Sequence, residues 1–264
     1  MKAIETQLAA DTMLITIPCL TDNYAYLLHD ETTGATAVVD VPEAAPIRAE
    51  LQKRDWTLTD IIITHHHWDH VDGFGALHNG TGAKVWGAKA DAQRLPPLDH
   101  ALVEGDSVEI GNLTGHVIDV SGHTMGHIAI HFPEAQAVFT ADSLMALGCG
   151  RLFEGDAATM WASLQKLAAL PPETLVCSGH EYTQSNARFA ATIEPDNPDL
   201  ISRIAAVNAA RAQGQATVPS RLSEELATNP FLRANLPALA VSVGRPDAAP
   251  VEVFAEIRTR KDMF

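Results

Sequence analysis

The residues best suited to chemistry are four histidines and an aspartate that directly follow a run of isoleucines. The segment from Ile61 to His70 reads IIITHHHWDH. Neutral imidazole and carboxylate groups are good ligands for borderline divalent ions such as zinc and iron. His65 and His67 are separated by one residue, so in an extended backbone they point to the same side and can share one ion. The sequence therefore predicts a metal site where this strand ends.

Two further candidate ligands come directly after this pair. Asp69 and His70 follow Trp68, close to a helix predicted over 71–77. Where the backbone begins to turn, these side chains can aim at a second point near the first. We therefore expect two metal ions. His66, which alternates with the ligands, is expected to pack or to orient its neighbours, as is Trp68.

Three more candidate ligands stand where other predicted strands end. His123 lies in a glycine-flanked turn, Asp142 follows an apolar run, and His180 follows a strand that closes on a glycine. Burying an acid after an apolar run is costly without a partner, which favours metal ligation by Asp142 over helix capping. His127 stands beside a strand, where a supporting role and direct ligation are equally compatible with its position. Because candidate ligands recur at the ends of several strands, we expect a site built on the loops that follow them.

The elements that must position these residues alternate between strands and helices. Strands are predicted at 13–18, 25–29, 35–40, 60–64, 84–87, 107–110, 113–120, 128–132 and 137–140, with a helix at 44–54. Helix-forming residues dominate the C-terminal part, at 182–191, 198–213, 222–228 and 251–260. The pattern predicts an α/β (α+β) layered fold with largely antiparallel sheets, followed by a mainly helical region.

The composition is that of a globular and strongly acidic protein. Of its 264 residues, 46% are hydrophobic and 19% are charged, and the formal net charge is −15. This charge disfavours a nucleic-acid partner, because phosphate binding requires a dense basic surface. No apolar run approaches the ~20 residues needed to cross a bilayer. We expect no secretory signal, no membrane association, a cytoplasmic location and a monomer.

The cysteines indicate a reducing compartment. Cys19, Cys149 and Cys177 are odd in number and widely spaced, which predicts neither a disulfide framework nor a C-x-x-C metal clip. Cys149 and Cys177 are expected to be buried thiols without a catalytic role.

Several segments besides THHHWDH at 64–70 carry a family signature. They are CLTDNYAYLL at 19–28, GCGRLFEG at 148–155, GHEYT at 179–183, TNPFLR at 228–233 and the ending RTRKDMF. The candidate ligands, in their order along the chain, resemble the metallo-β-lactamase superfamily. With the other segments, which span nearly the whole chain, the sequence resembles the glyoxalase II family, the hydroxyacylglutathione hydrolases.

The resemblance implies an αββα sandwich over 1–180 and a helical glutathione-binding domain over 181–264. It implies two divalent metal ions, with zinc as the first choice and iron or manganese also accepted. The first ion would be held by His65, His67 and His123. The second would be held by Asp69, His70 and His180. Asp142 would bridge the two ions together with a hydroxide, and Asp69, His70 and Asp142 are the residues expected to activate it.

The reaction implied by the resemblance is hydrolysis of S-(2-hydroxyacyl)glutathione thioesters. S-D-lactoylglutathione would yield D-lactate and glutathione, the second step of methylglyoxal detoxification. The substrate-binding residues would be Arg151, Phe153, Tyr182, Arg258 and Lys261. Relatives often carry lysine and tyrosine where this chain has Arg151 and Phe153, and the lost hydroxyl is expected to weaken affinity more than activity.

Simpler or different interpretations remain for the basic residues and for the activity. Arg258 and Lys261 lie on one face of a helix, and a solvated helix end also favours cations. The same fold also supports a persulfide dioxygenase. A metal content of about one iron per chain would favour that activity. The metal motif alone is compatible with a lactonase or β-lactamase. A non-catalytic metal-binding or redox-partner module is the alternative from a different functional class.

Overall fold

The computed structural model describes residues 2–264. The chain forms two compact units. The first comprises the chain up to Asp119 together with Met125–Ala141, and the second comprises Val120–Thr124 and Asp142–Phe264. The domain boundary expected at position 180 stays a prediction.

A seven-stranded sheet forms one layer of the first unit, with its strands in chain order. They are β1 (Ile4–Gln7), β2 (Thr12–Cys19), β3 (Asn23–Asp30), β4 (Thr36–Val39), β5 (Asp60–Ile63), β6 (Lys84–Ala88) and β7 (His100–Leu102). β1 to β4 are antiparallel, in agreement with the largely antiparallel sheets that the sequence predicts, although β1 lies outside the predicted strands. β4 to β7 are parallel, because the crossover segments between them return the chain to the same edge of the sheet.

The helices of the first unit lie in these crossovers. They are α1 (Ala44–Arg54), α2 (Trp68–Val71) and α3 (Phe74–His78), with a 3-10 helix at Lys89–Asp91. Ile47 and Leu51 of α1 are buried in one cluster with Ile61 and Ile63 of β5. The single helix predicted over 71–77 is divided at Gly73. An added Cβ there would lie 2.7 Å from the Cα of Glu43, so the backbone approaches too closely for a side chain.

Four further strands of the first unit pair in antiparallel order. They are β8 (Ser107–Ile110), β9 (Leu113–Asp119), β10 (Ile128–Phe132) and β11 (Ala137–Ala141). Phe132 and Phe139 are fully buried. The ring of Phe139 meets that of Tyr26 on β3 edge-on, with centroids 5.7 Å apart. These four strands therefore pack against the seven-stranded sheet through aromatic side chains.

The second unit is mainly helical. In chain order it contains β12 (Leu144–Met145), β13 (Gly148–Cys149), α4 (Ala157–Ala168), β14 (Leu175–Ser178), α5 (Thr183–Ile193), α6 (Pro198–Ala212), β15 (Ser220–Arg221), α7 (Leu222–Thr228), α8 (Pro237–Ser242) and α9 (Pro250–Met263). Phe189, Phe231 and Phe254 are fully buried in its core. This confirms the mainly helical C-terminal region, although α4 and α8 have no counterpart in the sequence prediction.

Across residues 2–264, none of the helices combines the length and the apolar composition needed to cross a membrane.

Candidate metal centre

The first group of candidate ligands begins two residues after β5 ends. His65 and His70 are completely buried, whereas His67 and Asp69 are partly exposed. The ring of His65 lies 4.8 Å from that of His67 and 4.2 Å from that of His70. His70 Nε2 lies 3.9 Å from Asp69 Oδ2. The structure thus brings together the four candidate ligands of the first unit.

A buried aspartate that the sequence analysis missed organises this group. Asp40 Oδ1 accepts a hydrogen bond from Thr64 N at 2.8 Å, and its Oδ2 accepts one from the Thr64 hydroxyl at 2.8 Å. Asp40 Oδ2 also lies 2.8 Å from His70 Nδ1. Because a carboxylate only accepts, the His70 proton sits on Nδ1 and leaves Nε2 as a ligand atom.

The same carboxylate reaches His65 through Thr64. The Thr64 hydroxyl donates to Asp40 and therefore accepts from His65 Nδ1, which is 3.0 Å away. His65 thus also keeps Nε2 for a metal. The signal that could have identified Asp40 is its position, since it is an acid directly after β4, as Asp142 is after β11.

The other polar residues of this segment have different surroundings. His66 Nδ1 lies 2.9 Å from Asp91 Oδ2, and Asp91 also accepts from Arg94 Nε at 3.0 Å. His66 therefore connects the ligand loop to the segment after β6 through a hydrogen bond. Trp68, which was expected to pack or to orient its neighbours, is 64% exposed.

His127 lies behind one of the ligands. Its ring is stacked on that of His65, with centroids 4.6 Å apart and planes 11° apart. It is completely buried, and its Nδ1 lies 3.2 Å from Ile128 O. Of the two interpretations left open by the sequence, this arrangement favours support of His65 over ligation.

The second group of candidate ligands belongs to the second unit. Asp142 Oδ2 lies 3.4 Å from His123 Nε2 and 3.2 Å from His180 Nε2, and all three residues are buried. His123 Nδ1 donates to Arg151 O at 2.8 Å, so its Nε2 is the atom that faces the carboxylate. One carboxylate oxygen thus lies between two imidazole nitrogens.

Two of the predicted substrate-binding residues contact these ligands. Phe153 meets the ring of His123 edge-on at 5.3 Å, and Tyr182 is stacked on His180 at 4.6 Å with planes 7° apart. Phe153 is 60% exposed and Tyr182 is 38% exposed. They offer apolar and aromatic surface directly beside the candidate ligands.

The basic residues of α9 differ in accessibility. Arg258 is only 5% exposed, and it donates to Cys149 O at 3.0 Å and to Asp262 Oδ1 at 2.8 Å. Its guanidinium also lies 5.1 Å from the ring centroid of Phe231. The simpler interpretation of a solvated helix end is therefore wrong for Arg258.

Lys261 and Arg151 remain accessible to solvent. The Lys261 ammonium lies 5.3 Å from the ring centroids of both Phe189 and Phe264. Burial, together with the positive charges of Arg258 and Arg188, lowers the pKa of Lys261 to about 8. Arg151 is exposed, and its Nε lies 3.7 Å from Asp262 Oδ1.

The cysteines are buried thiols, as expected. Burial raises the pKa of Cys149 to about 11, and it also raises the pKa of Cys177. Neither thiol is therefore ionised near neutral pH, which excludes activated nucleophiles of the kind found in cysteine hydrolases.

The donor set fits borderline divalent cations. Within the first unit, the rings of His65 and His67 are 4.8 Å apart, and His70 Nε2 lies 3.9 Å from Asp69 Oδ2. Within the second, Asp142 lies between His123 and His180. Imidazole nitrogens combined with carboxylate oxygens suit zinc, iron or manganese better than calcium or magnesium, which prefer oxygen alone.

Two family models together match most of the chain. Residues 21–180 match the metallo-beta-lactamase superfamily, and residues 181–264 match the hydroxyacylglutathione hydrolase C-terminus. A solved structure of TTHA1623 in a di-iron-bound form has a TM-score of 0.59 and 25% identity, and the match covers 82% of this chain and 98% of that one. These matches confirm the metallo-β-lactamase fold.

Full-length relatives narrow the assignment. The hydroxyacylglutathione hydrolase of Jannaschia sp. (strain CCS1) is 69% identical over 255 residues, which cover 97% of this chain and 100% of that protein. The hydroxyacylglutathione hydrolase of Cereibacter sphaeroides (strain ATCC 17025 / ATH 2.4.3) is 63% identical, with 95% of this chain and 98% of that protein covered. The chain therefore belongs to the metallo-β-lactamase superfamily and, within it, to the hydroxyacylglutathione hydrolase family.

Proposed function

We propose that this protein hydrolyses S-(2-hydroxyacyl)glutathione thioesters, and that S-D-lactoylglutathione is converted to D-lactate and glutathione in the second step of methylglyoxal detoxification. The observation that carries the proposal is the 69% identity, over nearly the whole chain, with a hydroxyacylglutathione hydrolase. The contacts of Phe153 with His123 and of Tyr182 with His180 support it, because two residues proposed to bind the substrate lie beside candidate ligands.

The family's ligand order assigns the candidate ligands to two divalent ions. His65, His67 and His123 would hold the first ion, and Asp69, His70 and His180 would hold the second. Asp142 would bridge them. The position of its Oδ2 supports this role. This atom lies 3.4 Å from His123 Nε2 and 3.2 Å from His180 Nε2, and these two histidines are proposed ligands of different ions. We propose zinc as the first choice of metal. Iron is the alternative, because the similar protein TTHA1623 has been solved in a di-iron-bound form.

When bound, the two ions would lower the pKa of a coordinated water toward about 7 and polarise the thioester carbonyl oxygen. The chain's own residues prepare the centre for this. Asp40 and Thr64 hold the Nδ1 protons of His70 and His65, which leaves both Nε2 atoms as ligands. The leaving thiolate has a conjugate-acid pKa of roughly 8.5, so a strong general acid is not required.

The substrate's glutathione moiety carries two carboxylates, and the second unit offers positive charge for them. Lys261 and Arg151 are accessible, and the Nε of the buried Arg258 has no hydrogen-bond partner. Arg258 would bind a carboxylate while anchored to Cys149 and Asp262. The Tyr182 hydroxyl would add a hydrogen bond that Phe153 cannot supply.

The charge and the thiols support our proposal for the protein's partners and location. The net charge of −15 disfavours nucleic-acid binding, and three buried free cysteines are consistent with a reducing cytoplasm. We include a cytoplasmic location and a monomeric state in the proposal. No observation favours a persulfide dioxygenase, a lactonase or a non-catalytic module over thioester hydrolysis.

The direct test is to follow loss of the thioester absorbance of S-D-lactoylglutathione, with a chelated sample and metal analysis alongside. Chelator-sensitive turnover by protein with about two metal ions per chain is the expected result. Absence of turnover by fully metallated protein would contradict the proposal, and persulfides and lactones would then be the next substrates to assay.

A further inference from the structure

Asp142 leads directly into a tight hairpin formed by β12 and β13. Gly150 N donates to Ser143 O at 3.1 Å and closes the base of this hairpin. The segment 151–153, with two of the candidate substrate-binding residues, follows at once. The hairpin therefore connects the candidate bridging ligand to the candidate glutathione-binding segment.

The base of the hairpin is packed too closely for independent movement. A Cβ added to Gly150 would lie 2.0 Å from Asp142 O and 2.8 Å from His123 Nδ1. A displacement of the hairpin would therefore be transmitted directly to both ligands.

Two buried asparagines hold the backbone of the hairpin. Asn186 Nδ2 on α5 donates to Ala146 O at 3.1 Å. Asn229 Nδ2, at the end of α7, donates to Met145 O at 3.1 Å and to Gly148 O at 2.9 Å. Three carbonyls in a four-residue stretch are thus bonded by side chains from helices far along the sequence.

A buried carboxylate holds the remaining turn residue. Leu147 has a φ of +57°, a left-handed conformation that favours glycine or asparagine over leucine. Its N–H donates to Glu225 Oε2 at 2.8 Å. Glu225 is completely buried, and its other oxygen accepts from Ser220 Oγ at 2.6 Å and pairs with Arg203.

The turn of this hairpin contains a residue that does not suit its backbone conformation. Two-residue turns ordinarily have Gly, Asn or Asp at positions with a positive φ. Here an unfavourable turn is maintained by a buried ion pair and two buried amides, although burying such groups is costly. Strained backbone held by its surroundings in this way is typical of segments whose position matters to a site.

We propose that Asn186, Glu225 and Asn229, the hairpin cradle, are positioning residues that set the location of the Asp142 carboxylate and of the segment 151–153. The C-terminal helices would then contribute to metal binding as well as to substrate binding. The proposal rests on the proposed function for its kinetic consequences, and its effect on metal affinity is independent of the substrate.

Two variants test the cradle. Asn229→Asp has the same shape and keeps the Oδ1 that accepts from Phe231 N at 3.1 Å. It removes the donor to two hairpin carbonyls and to Glu225 Oε2. Asn186→Ala removes the bond to Ala146 O without adding charge, and it carries the test if the first variant fails to fold. The matched control is Glu194→Gln, which disrupts the ion pair with Arg233 in the same unit.

The readouts are zinc affinity by competition with a chelator, kcat and KM for S-D-lactoylglutathione, and the melting temperature. We expect both cradle variants to bind zinc about tenfold more weakly and to lose kcat to a similar degree, while the control keeps wild-type affinity at a comparable loss of melting temperature. Wild-type affinity and kcat in destabilised cradle variants would overturn the proposal, since the cradle would then support only the fold. A wild-type protein without thioesterase activity would refute the proposed function and leave the affinity comparison intact.

Discussion

The two groups of candidate ligands are organised in opposite ways. In the first unit, His65, His67, Asp69 and His70 come from one short segment. The buried carboxylate of Asp40 supports two of them, His70 directly and His65 through Thr64, and Asn23 Nδ2 donates to Asp69 Oδ2 at 3.0 Å. In the second unit, three separate segments supply the ligands.

The second group depends on a dispersed framework. His123 is held by Arg151 O, and the hairpin after Asp142 is held by side chains from α5, α7 and α9. In the first group one carboxylate thus orients two ligands, whereas in the second each supporting group acts on one ligand or on the backbone of the hairpin. Single substitutions should therefore have larger effects behind the first group than behind the second.

The largest effect is expected at Asp142 itself, because it is the proposed bridge. Asp142→Ala should remove several kcal/mol of charge stabilisation, which corresponds to roughly 10²–10³-fold in kcat. Metal analysis should show fewer ions per chain. Full metal content with normal turnover would refute the bridging assignment.

Asp40→Asn tests whether one carboxylate supports the first group. The amide keeps the size but not the charge, and its nitrogen would oppose the donors of Thr64 and His70. We expect metal affinity to fall about 10- to 100-fold, more than in either cradle variant. Chelator competition is the measurement.

The matched control for Asp40 is Asp60→Asn. Asp60 is also buried in this sheet, where it accepts from Trp86 Nε1 at 2.8 Å, and an amide oxygen can still accept this bond. Metal affinity should stay at the wild-type value. An equal loss of metal affinity in Asp40→Asn and Asp60→Asn would show that replacing any buried aspartate of the sheet weakens metal binding.

A smaller effect is expected at Lys261, which lies outside both ligand groups. Lysine is charged below its pKa, so with a pKa of about 8 the cation is present at neutral pH and is lost as the pH rises through 8. KM for glutathione thioesters should therefore rise above pH 8. Lys261→Met should have a KM about tenfold above that of the wild type at pH 7. Its KM should not increase further above pH 8, and its metal content should be unchanged.

Lys53→Met, at the exposed end of α1, provides the control for a lost surface charge. Its KM and pH profile should match the wild type. If KM of Lys261→Met is also unchanged, Lys261 has no part in holding the substrate.

The smallest effect is expected at Phe153. Phe153→Tyr would restore a hydroxyl on an exposed ring, and one hydrogen bond contributes about 0.5–1.5 kcal/mol. KM should fall by roughly two- to tenfold while kcat stays constant. A change in kcat without a change in KM would assign this ring to the reaction instead of to glutathione affinity.

The sequence was sufficient for features that depend on short stretches of chain. Alternating strands, the helical C-terminal part and candidate ligands at strand ends follow from local patterns of apolar and polar residues. The fold class is confirmed, and the grouping of His123, Asp142 and His180 agrees with their strand-end positions.

Features that depend on contacts between distant segments could not be predicted. Asp40 gains its role only because Thr64 and His70 pack against it. The helix predicted over 71–77 is divided because Gly73 meets Glu43. Arg258 can be buried because the carbonyl of Cys149 accepts a hydrogen bond from its guanidinium. The position of Asp40 after a strand marks it as a candidate, but neither its partners nor the other two contacts leave a periodic or compositional signal.

The central claim is that the two ligand groups serve one binuclear centre. X-ray absorption spectroscopy of the zinc-loaded protein, combined with metal analysis, tests it most directly. We predict about two ions per chain with a metal–metal distance of about 3.5–4 Å, the range of two-metal hydrolytic sites. One ion per chain, or two ions without a metal–metal distance in this range, would contradict the account.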